Sequence, residues 1–201
     1  MTRPLCGIFV GGAGKRMGGL PKGLLPCEPG GEAIVRRLER HARTLGLDVV
    51  LVGQHAAYEH LGLPFVADQP ADLGPLGGLC ALLAWSGDRD ALALACDMPF
   101  VTAATLQKLL SLDAVEVDVV AAQTGPHAPL ETFLARYRPS ARPVLEEHAR
   151  RSNRRMQDVF QTLRVKKWLL PEEDLAACQD WDRVEEMPPV LRAEIPTNRG
   201  T

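Results

Sequence analysis

Short apolar runs alternate along this chain with segments whose apolar residues recur at helical spacing. The runs lack the polar alternation of a half-exposed strand, which is typical of strands buried on both faces. The predicted strands are residues 5–10, 48–53, 63–67, 91–96 and 115–122, and the predicted helices are residues 32–45, 75–85 and 102–112. This alternation predicts an α/β fold, in which helices cover both faces of a parallel sheet.

The later part of the chain has a weaker pattern. Residues 132–137 and 163–170 are interpreted as strands, and residues 139–151 as a helix. Residues 171–201 contain several prolines and many charges, which favour a short helix followed by an irregular tail. Because no linker or repeat interrupts a chain of 201 residues, we predict one domain over residues 1–201, including this tail.

The composition excludes several classes of protein. With 46% hydrophobic and 24% charged residues the chain is globular, and its net charge of −2 gives no basis for nucleic-acid binding. The longest charge-free stretch, residues 73–87, is interrupted by glycine and proline and is shorter than the about 20 apolar residues of a membrane span. The five cysteines show neither a disulfide framework nor zinc-ligand spacing. We therefore expect a cytoplasmic protein that binds neither nucleic acid nor a membrane.

A glycine-rich loop, GGAGKRMGGLPKGLLP at residues 11–26, follows the first predicted strand. Its glycines let backbone N–H groups approach a ligand, and Lys15, Arg16 and Lys22 can neutralise that ligand. A plain tight turn would need the glycines but not the three cations, so we expect the loop to bind a polyphosphate. The P-loop pattern fails because Arg16 stands where a hydroxyl is required, and the dinucleotide pattern fails because Met17 replaces its third glycine.

Two carboxylates follow predicted strands. Asp97 closes the run at 91–96, so it should lie at the carboxyl end of a strand, where ligands of open α/β sheets bind. A carboxylate beside phosphates needs a bridging cation, and Mg²⁺ is typically held by one or two carboxylates together with substrate phosphates. The alternative, that Asp97 caps the next helix, is weakened because Thr102 is better placed as the cap. Asp68 has a similar position ahead of Gly-Pro-Leu-Gly-Gly at 74–78, where a simple turn before a helix fits equally well.

These motifs together resemble the molybdenum cofactor guanylyltransferase (MobA-like) branch of the nucleotidyltransferases. The loop carries the most specific part of the resemblance, in Arg-Met-Gly-Gly at 16–19 and in Lys22. The similarity continues in the family's order through Asp68, 74–78 and 96–100, and more weakly through 129–137 and Arg154-Arg155. The resemblance implies a Rossmann-like, three-layer α/β/α fold with a mostly parallel sheet, which binds a nucleoside triphosphate and Mg²⁺.

The resemblance also implies a reaction and a role for each matching residue. The reaction would be transfer of GMP from GTP to molybdopterin, forming the guanine dinucleotide cofactor and pyrophosphate, with transient contact with other molybdenum cofactor proteins. The catalytic residues would be Arg16, Lys22 and Asp97. Phe9, Val10, Gly11 and Gly12 would line the nucleotide, Lys22 would bind the triphosphate, Asp68 would contact the nucleoside, Asp97 would ligate Mg²⁺, and Arg154 and Arg155 would contact the acceptor.

Two departures from the family pattern leave alternatives open. Pro21 stands where the family usually has Asp, as in related cytidylyltransferases, so CTP remains open as the nucleotide. The acceptor would then be molybdopterin or another phosphorylated molecule. The chain also has no counterpart of the family's Asn-x-Asn-Thr-Pro-Glu element near residue 198, which leaves the acceptor ligand unassigned. A nucleotide-binding partner without chemistry is therefore a third possibility.

Overall fold

A computed structural model describes residues 3–11, 20–181 and 183–192. The strands in this part of the chain are β1 (Leu5–Phe9), β2 (Asp48–Val52), β3 (Phe65–Val66), β4 (Ala91–Ala95), β5 (Val119–Gln123), β6 (Ala135–Tyr137) and β7 (Val165–Leu169). They form one seven-stranded sheet in the order β3-β2-β1-β4-β6-β5-β7. Every neighbouring pair is parallel except the two that involve β6, which runs antiparallel to β4 and to β5. The predicted α/β fold with a mostly parallel sheet is confirmed.

Helices cover both faces of the sheet. They are α1 (Ile34–Thr44), α2 (Pro75–Ser86), α3 (Ala103–Ser111), α4 (Arg142–Arg150), α5 (Met156–Thr162) and α6 (Pro189–Arg192). Alternate residues of β1 point to opposite faces, so Cys6 and Ile8 pack with α1 and α3, whereas Leu5 and Phe9 pack with α2, α4 and α5. Two apolar cores therefore enclose the sheet, which gives the three-layer arrangement.

Two helices begin at the residues that the sequence predicted, for local reasons. Pro75 begins α2, where a missing N–H costs nothing. Thr102 caps α3, and its hydroxyl oxygen accepts a hydrogen bond of 3.1 Å from the backbone N–H of Thr105. Since Thr102 caps this helix, Asp97 is not needed for that purpose.

The C-terminal segment begins with a short helix, as predicted. Residues Glu172–Cys178 form a short 3-10 helix. Four apolar side chains of this segment are buried in the core with α1 and α3, namely Ala177, Trp181, Met187 and Leu191. The sequence did not indicate this packing, because prolines and charges conceal the wide spacing of these few anchoring residues.

The strand order places a crevice at the carboxyl edge of the sheet. The chain builds outward from β1 through β2 to β3, and then crosses to the other side of β1 for β4. Phe9 pairs with both Val52 and Ala95, so the three central strands end at the same level. Loops that leave β1 and β4 in opposite directions open a crevice between them, as in other open α/β sheets. Among the described residues, no helix is long and apolar enough to cross a membrane.

Candidate functional site

A cleft of about 640 Å³ occupies this crevice. Its walls are the ends of the central strands with their loops, the segment after the glycine-rich loop, and two parts of the C-terminal half. The described residues that line it are Phe9, Val10, Gly11, Leu20, Pro21, Lys22, Val52, His55, Tyr58, Asp68, Gly74, Pro75, Ala95, Cys96, Asp97, Met98, Glu131, Phe133, Cys178 and Asp180. Six of the residues predicted from the sequence are in this set: Phe9, Val10, Gly11, Lys22, Asp68 and Asp97.

An ion pair between Lys22 and Asp97 lies at the centre of the site. Nζ of Lys22 is 2.9 Å from Oδ2 of Asp97, and the two side chains are 16% and 17% exposed. Lys22 begins a short 3-10 helix, Lys22–Leu24, and Asp97 follows β4. The two residues are 75 positions apart in the chain, and they meet because β1 and β4 are neighbours. A cation and a carboxylate are thus side by side in the cleft.

Glycines let the backbone segments around Gly11 and Asp68 approach closely. A Cβ on Gly53, where φ is +95°, would lie 2.7 Å from Cα of Gly11. A Cβ on Gly78 would lie 2.6 Å from Cε1 of Phe9 and 3.2 Å from Oδ1 of Asp68. The glycines of the motif at 74–78 therefore have a packing role, which brings the first turn of α2 against Phe9 and Asp68.

Asp68 lies in the approach to α2, and its side chain also lines the cleft. Its neighbour Gln69 donates a backbone hydrogen bond of 3.2 Å to the carbonyl of Gly77, so the segment does form the approach to α2. The Asp68 carboxyl also lines the cleft, and burial raises its pKa above the usual range. This carboxyl lies beyond β3, on the side of the cleft away from β4.

Sequence reasoning missed the opposite wall, which consists of Glu131, Phe133, Cys178 and Asp180. The rings of Phe133 and Phe9 are 4.6 Å apart. Burial, with the nearby charge of Asp180, raises the pKa of Glu131. This wall is therefore partly aromatic and partly acidic.

The C-terminal segment, in which no site residue was predicted from the sequence, takes part in this wall through Cys178 and Asp180. The backbone N–H of Trp181 donates a hydrogen bond of 3.1 Å to the carbonyl of Asp97, which places Asp180 in the cleft. Trp181 is 2% exposed and its ring meets that of Phe100 edge-on. A tryptophan between two aspartates in a charged segment was the sequence signal that could have indicated this anchor.

The remaining predicted residues lie elsewhere. Gly12 and Arg16 are outside the described residues. Arg154 and Arg155 are exposed, directly before α5, and are not among the described residues that line the cleft. Two residues further on, the side-chain amide of Gln157 donates to the carbonyl of Leu130 at 2.9 Å and accepts from its N–H at 3.3 Å. The arginine pair therefore lies near the loop that carries the aromatic and acidic wall, and its contact with the acceptor stays a prediction.

The carboxylates of the cleft bear on whether it can hold a divalent cation. No group of three or more His, Cys, Asp or Glu side chains within 3–11, 20–181 and 183–192 is arranged to hold a metal ion. Asp97, which lines the cleft beside Lys22, fits an arrangement in which Mg²⁺ is held by one carboxylate together with substrate phosphates.

Comparison with known proteins agrees with this geometry. The family of MobA-like NTP transferase domains matches residues 6–167. A molybdenum cofactor guanylyltransferase of Pseudomonas putida is 37% identical over 114 residues, an alignment that spans 54% of this chain and 59% of that protein. A protein of Pelotomaculum thermopropionicum named "Probable molybdenum cofactor guanylyltransferase" is 32% identical over 176 residues, or 86% of this chain and 81% of that protein.

A solved structure shares the fold. Molybdopterin-guanine dinucleotide biosynthesis protein A from Archaeoglobus fulgidus superposes with a TM-score of 0.74 at 22% identity, covering 94% of this chain and 96% of that one. The family match extends from β1 into β7 and includes Lys22, Asp68 and Asp97. The chain therefore belongs to the family of MobA-like NTP transferase domains and is a nucleotidyltransferase.

Proposed function

We propose that this nucleotidyltransferase transfers GMP from GTP to a molybdopterin-type acceptor in a Mg²⁺-dependent reaction. The observation that carries the proposal is the Lys22–Asp97 ion pair at the centre of the cleft. Lys22 offers a compact positive charge to the triphosphate, and Asp97 offers a carboxylate to the metal ion. The relatives named molybdenum cofactor guanylyltransferase support the choice of nucleotide and acceptor.

The reaction is an in-line displacement at the α-phosphorus of GTP. An oxygen of the acceptor phosphate forms the new P–O bond, the bond from the α-phosphorus to the bridging oxygen breaks, and pyrophosphate leaves with the electron pair. Mg²⁺ held by Asp97 would supply positive charge at the phosphates. Lys22 orients the triphosphate and neutralises the charge that develops on the phosphoryl oxygens, and Arg16 is proposed to assist from the loop.

The two walls of the cleft suit the two substrates. Gly11 and Asp68 lie on the side that we assign to the nucleoside. On the other side, Glu131 and Asp180 can accept hydrogen bonds from N–H donors, and the Phe133 ring can pack against a planar group. A pterin provides both features, whereas a bare phosphate would be repelled by these carboxylates. The acceptor phosphate therefore belongs near Lys22.

Pyrophosphate release tests this proposal directly. The purified chain is incubated with Mg²⁺, molybdopterin and each of the four nucleoside triphosphates in turn. We expect GTP to support the fastest turnover, since a site built to hydrogen-bond one base can discriminate strongly against the others. Faster turnover with CTP would contradict the choice of GTP. Nucleotide binding without release of pyrophosphate from any triphosphate would favour a binding partner that has lost the chemistry.

Cytidylyl transfer is the second candidate, and the position of Pro21 favours it. Pro21 lines the cleft next to Lys22, so the residue that departs from the family pattern is close to the residue that we assign to the triphosphate. If CTP is the better substrate, Pro21→Asp should shift preference toward GTP, and the ratio of kcat/KM values for the two nucleotides measures this shift. A cytoplasmic location and transient contact with other molybdenum cofactor proteins stay predictions.

A further inference from the structure

Tyr58 contacts the chain next to both members of the central ion pair. It is 1% exposed and lies on the short 3-10 helix that follows β2. Its hydroxyl oxygen accepts a hydrogen bond of 2.9 Å from the backbone N–H of Gly23, the residue after Lys22. The same oxygen is 3.9 Å from Sγ of Cys96, the residue before Asp97. A single hydroxyl thus joins the two segments that supply the pair.

This junction is closely packed. A Cβ on Gly23 would lie 2.9 Å from Cβ of Cys96 and 3.0 Å from the hydroxyl oxygen of Tyr58, which is too close for real side chains. Glycine is therefore required at this position so that the backbone can approach both neighbours. The three residues follow β1, β2 and β4, which are adjacent in the sheet. The junction consequently ties together the loops at the ends of the three central strands.

The chemistry of the junction is structural rather than acid–base. Burial raises the pKa of the Tyr58 phenol far above its usual range, and burial raises the pKa of the Cys96 thiol to about 12. Both groups therefore stay protonated near neutral pH. The role left to the Tyr58 hydroxyl is to hold the Gly23 N–H, which would otherwise be a buried donor without an acceptor.

We propose that Tyr58 is a positioning residue that fixes the separation of Lys22 and Asp97, and through it the rate of nucleotidyl transfer. The inference rests on the proposed function, which assigns these two residues to the phosphates. Nucleotide binding is spread over many contacts, whereas charge stabilisation in the transition state needs both residues at the reacting phosphate together. Loss of the hydroxyl should therefore lower kcat more than it raises the KM for nucleotide.

Tyr58→Phe tests this because it removes only the hydroxyl. We expect kcat to fall about 10- to 100-fold while the KM for GTP changes by less than about threefold. In a Lys22→Ala background the same substitution should have less than about a twofold further effect, because Tyr58 acts through Lys22. Ser86→Ala is the matched control, since it removes a buried hydroxyl bonded to Leu83 at the far end of α2 and should leave kcat unchanged.

Amide hydrogen exchange at Gly23, followed by NMR, gives a readout that needs no activity. We expect slow exchange in the wild type and at least about tenfold faster exchange in Tyr58→Phe, with no change in Ser86→Ala. If the wild type transfers no nucleotide, the proposed function fails, while the exchange rates still test the junction. If Tyr58→Phe does not fold, Gly23→Ala should lower kcat selectively, because its methyl group forces the Lys22 segment away from Tyr58.

Three results would overturn the proposal. The first is a kcat for Tyr58→Phe within about twofold of the wild type, and the second is unchanged protection of the Gly23 amide. The third is a full additional loss of kcat when Tyr58→Phe is combined with Lys22→Ala, since the hydroxyl would then act independently of Lys22.

Discussion

At the scale of single residues, the main feature of the site is the ion pair between Lys22 and Asp97. Each side chain is mostly shielded from water, and each is the other's partner at 2.9 Å. Removing Lys22 therefore leaves the Asp97 carboxylate in a partly desolvated place without that partner. The two residues should nevertheless respond differently to substitution, because the proposed function assigns Lys22 to the phosphates and Asp97 to the metal ion.

Lys22→Ala should weaken GTP binding by about 1.5–3 kcal/mol, the usual range for one charge-assisted contact. The repulsion of phosphates by the uncompensated Asp97 acts in the same direction. Isothermal titration calorimetry with GTP measures the loss. Lys166→Ala is the control, because this lysine lies on β7 and bonds to the Asp113 carbonyl. Equal affinities for the wild type and Lys22→Ala would remove Lys22 from the nucleotide site.

Asp97→Asn should lower turnover on the order of 10²-fold or more, since it keeps the shape but removes the charge that holds Mg²⁺ against the phosphates. Binding of GTP without Mg²⁺ should survive or tighten, because a repelling charge is lost and Lys22 is released for the triphosphate. Steady-state kinetics across a Mg²⁺ titration and binding in a chelator measure the two effects. Asp48→Asn is the control, because Asp48 begins β2 at the end of the strand away from the cleft. Normal turnover of Asp97→Asn at low Mg²⁺ would reduce Asp97 to a turn residue.

At the scale of secondary-structure elements, α3 holds the C-terminal segment against the cleft. Asp174, which is 5% exposed, accepts hydrogen bonds from the Thr105 hydroxyl at 2.8 Å and from Nζ of Lys108 at 2.7 Å. The chain then continues to Asp180 and to Trp181, whose backbone N–H donates a hydrogen bond to the carbonyl of Asp97. One buried carboxylate thus connects α3 to the acidic wall.

Asp174→Ala should destabilise the protein by about 1–3 kcal/mol, because the buried Thr105 hydroxyl and the Lys108 ammonium each lose a charged partner that is itself buried. Because the segment also forms the acidic wall, the KM for the acceptor should rise more than the dissociation constant for GTP. Chemical denaturation and two-substrate kinetics measure these effects. Glu173→Ala is a close control, since Glu173 contacts the same Lys108 but is 68% exposed, so its loss should cost little. Equal effects of the two variants would argue against Asp174 as the anchor.

At the scale of the whole molecule, a buried carboxylate joins elements at the end of the sheet away from the cleft. Asp118 directly precedes β5 and accepts hydrogen bonds from the backbone and guanidinium of Arg164, which directly precedes β7. The Ser140 hydroxyl, ahead of α4, donates to the same carboxylate at 2.7 Å. The Arg164 side chain holds the pKa of Asp118 well below its usual range.

The lowered pKa makes the stability of the protein sensitive to acid. Because the folded-state pKa lies below the unfolded value of about 3.9, the stabilisation is present above that pH and is lost as the pH falls toward the folded-state value. Asp118→Asn should lower the free energy of unfolding by about 1–2 kcal/mol at neutral pH. The loss is no larger because the Arg164 side chain is exposed, and water screens its interaction with Asp118. The difference from the wild type should be constant above about pH 5 and shrink steadily as the pH falls below that value, as measured by urea denaturation. A constant difference at every pH, or an equal pH effect in exposed Asp88→Asn, would contradict this assignment.

The sequence by itself determined the features that follow from the local pattern of apolar and polar residues, namely which segments are buried strands and at which edge of the sheet they end. Apolar runs without polar alternation indicate strands buried on both faces, and parallel strands bring their carboxyl ends to one edge. For that reason Asp97 after β4 and Lys22 after the loop that follows β1 could be placed in one site before any contact was known. The sequence places Asp68 ahead of the motif at 74–78, but only the structure shows that Gly78 lies against Phe9 and Asp68.

Tertiary structure alone decided which distant segments complete the site. An apolar run such as β6 has the same pattern in either direction, so the sequence could not show that it enters antiparallel between β4 and β5. Likewise, the few buried residues of the C-terminal segment indicate that it packs, but not that Trp181 meets Asp97. The physical reason is that periodicity reports which face of an element is buried, whereas the partner depends on which surfaces the complete chain brings together. Glu131, Asp180 and the contact of Tyr58 with Gly23 are all of this second kind.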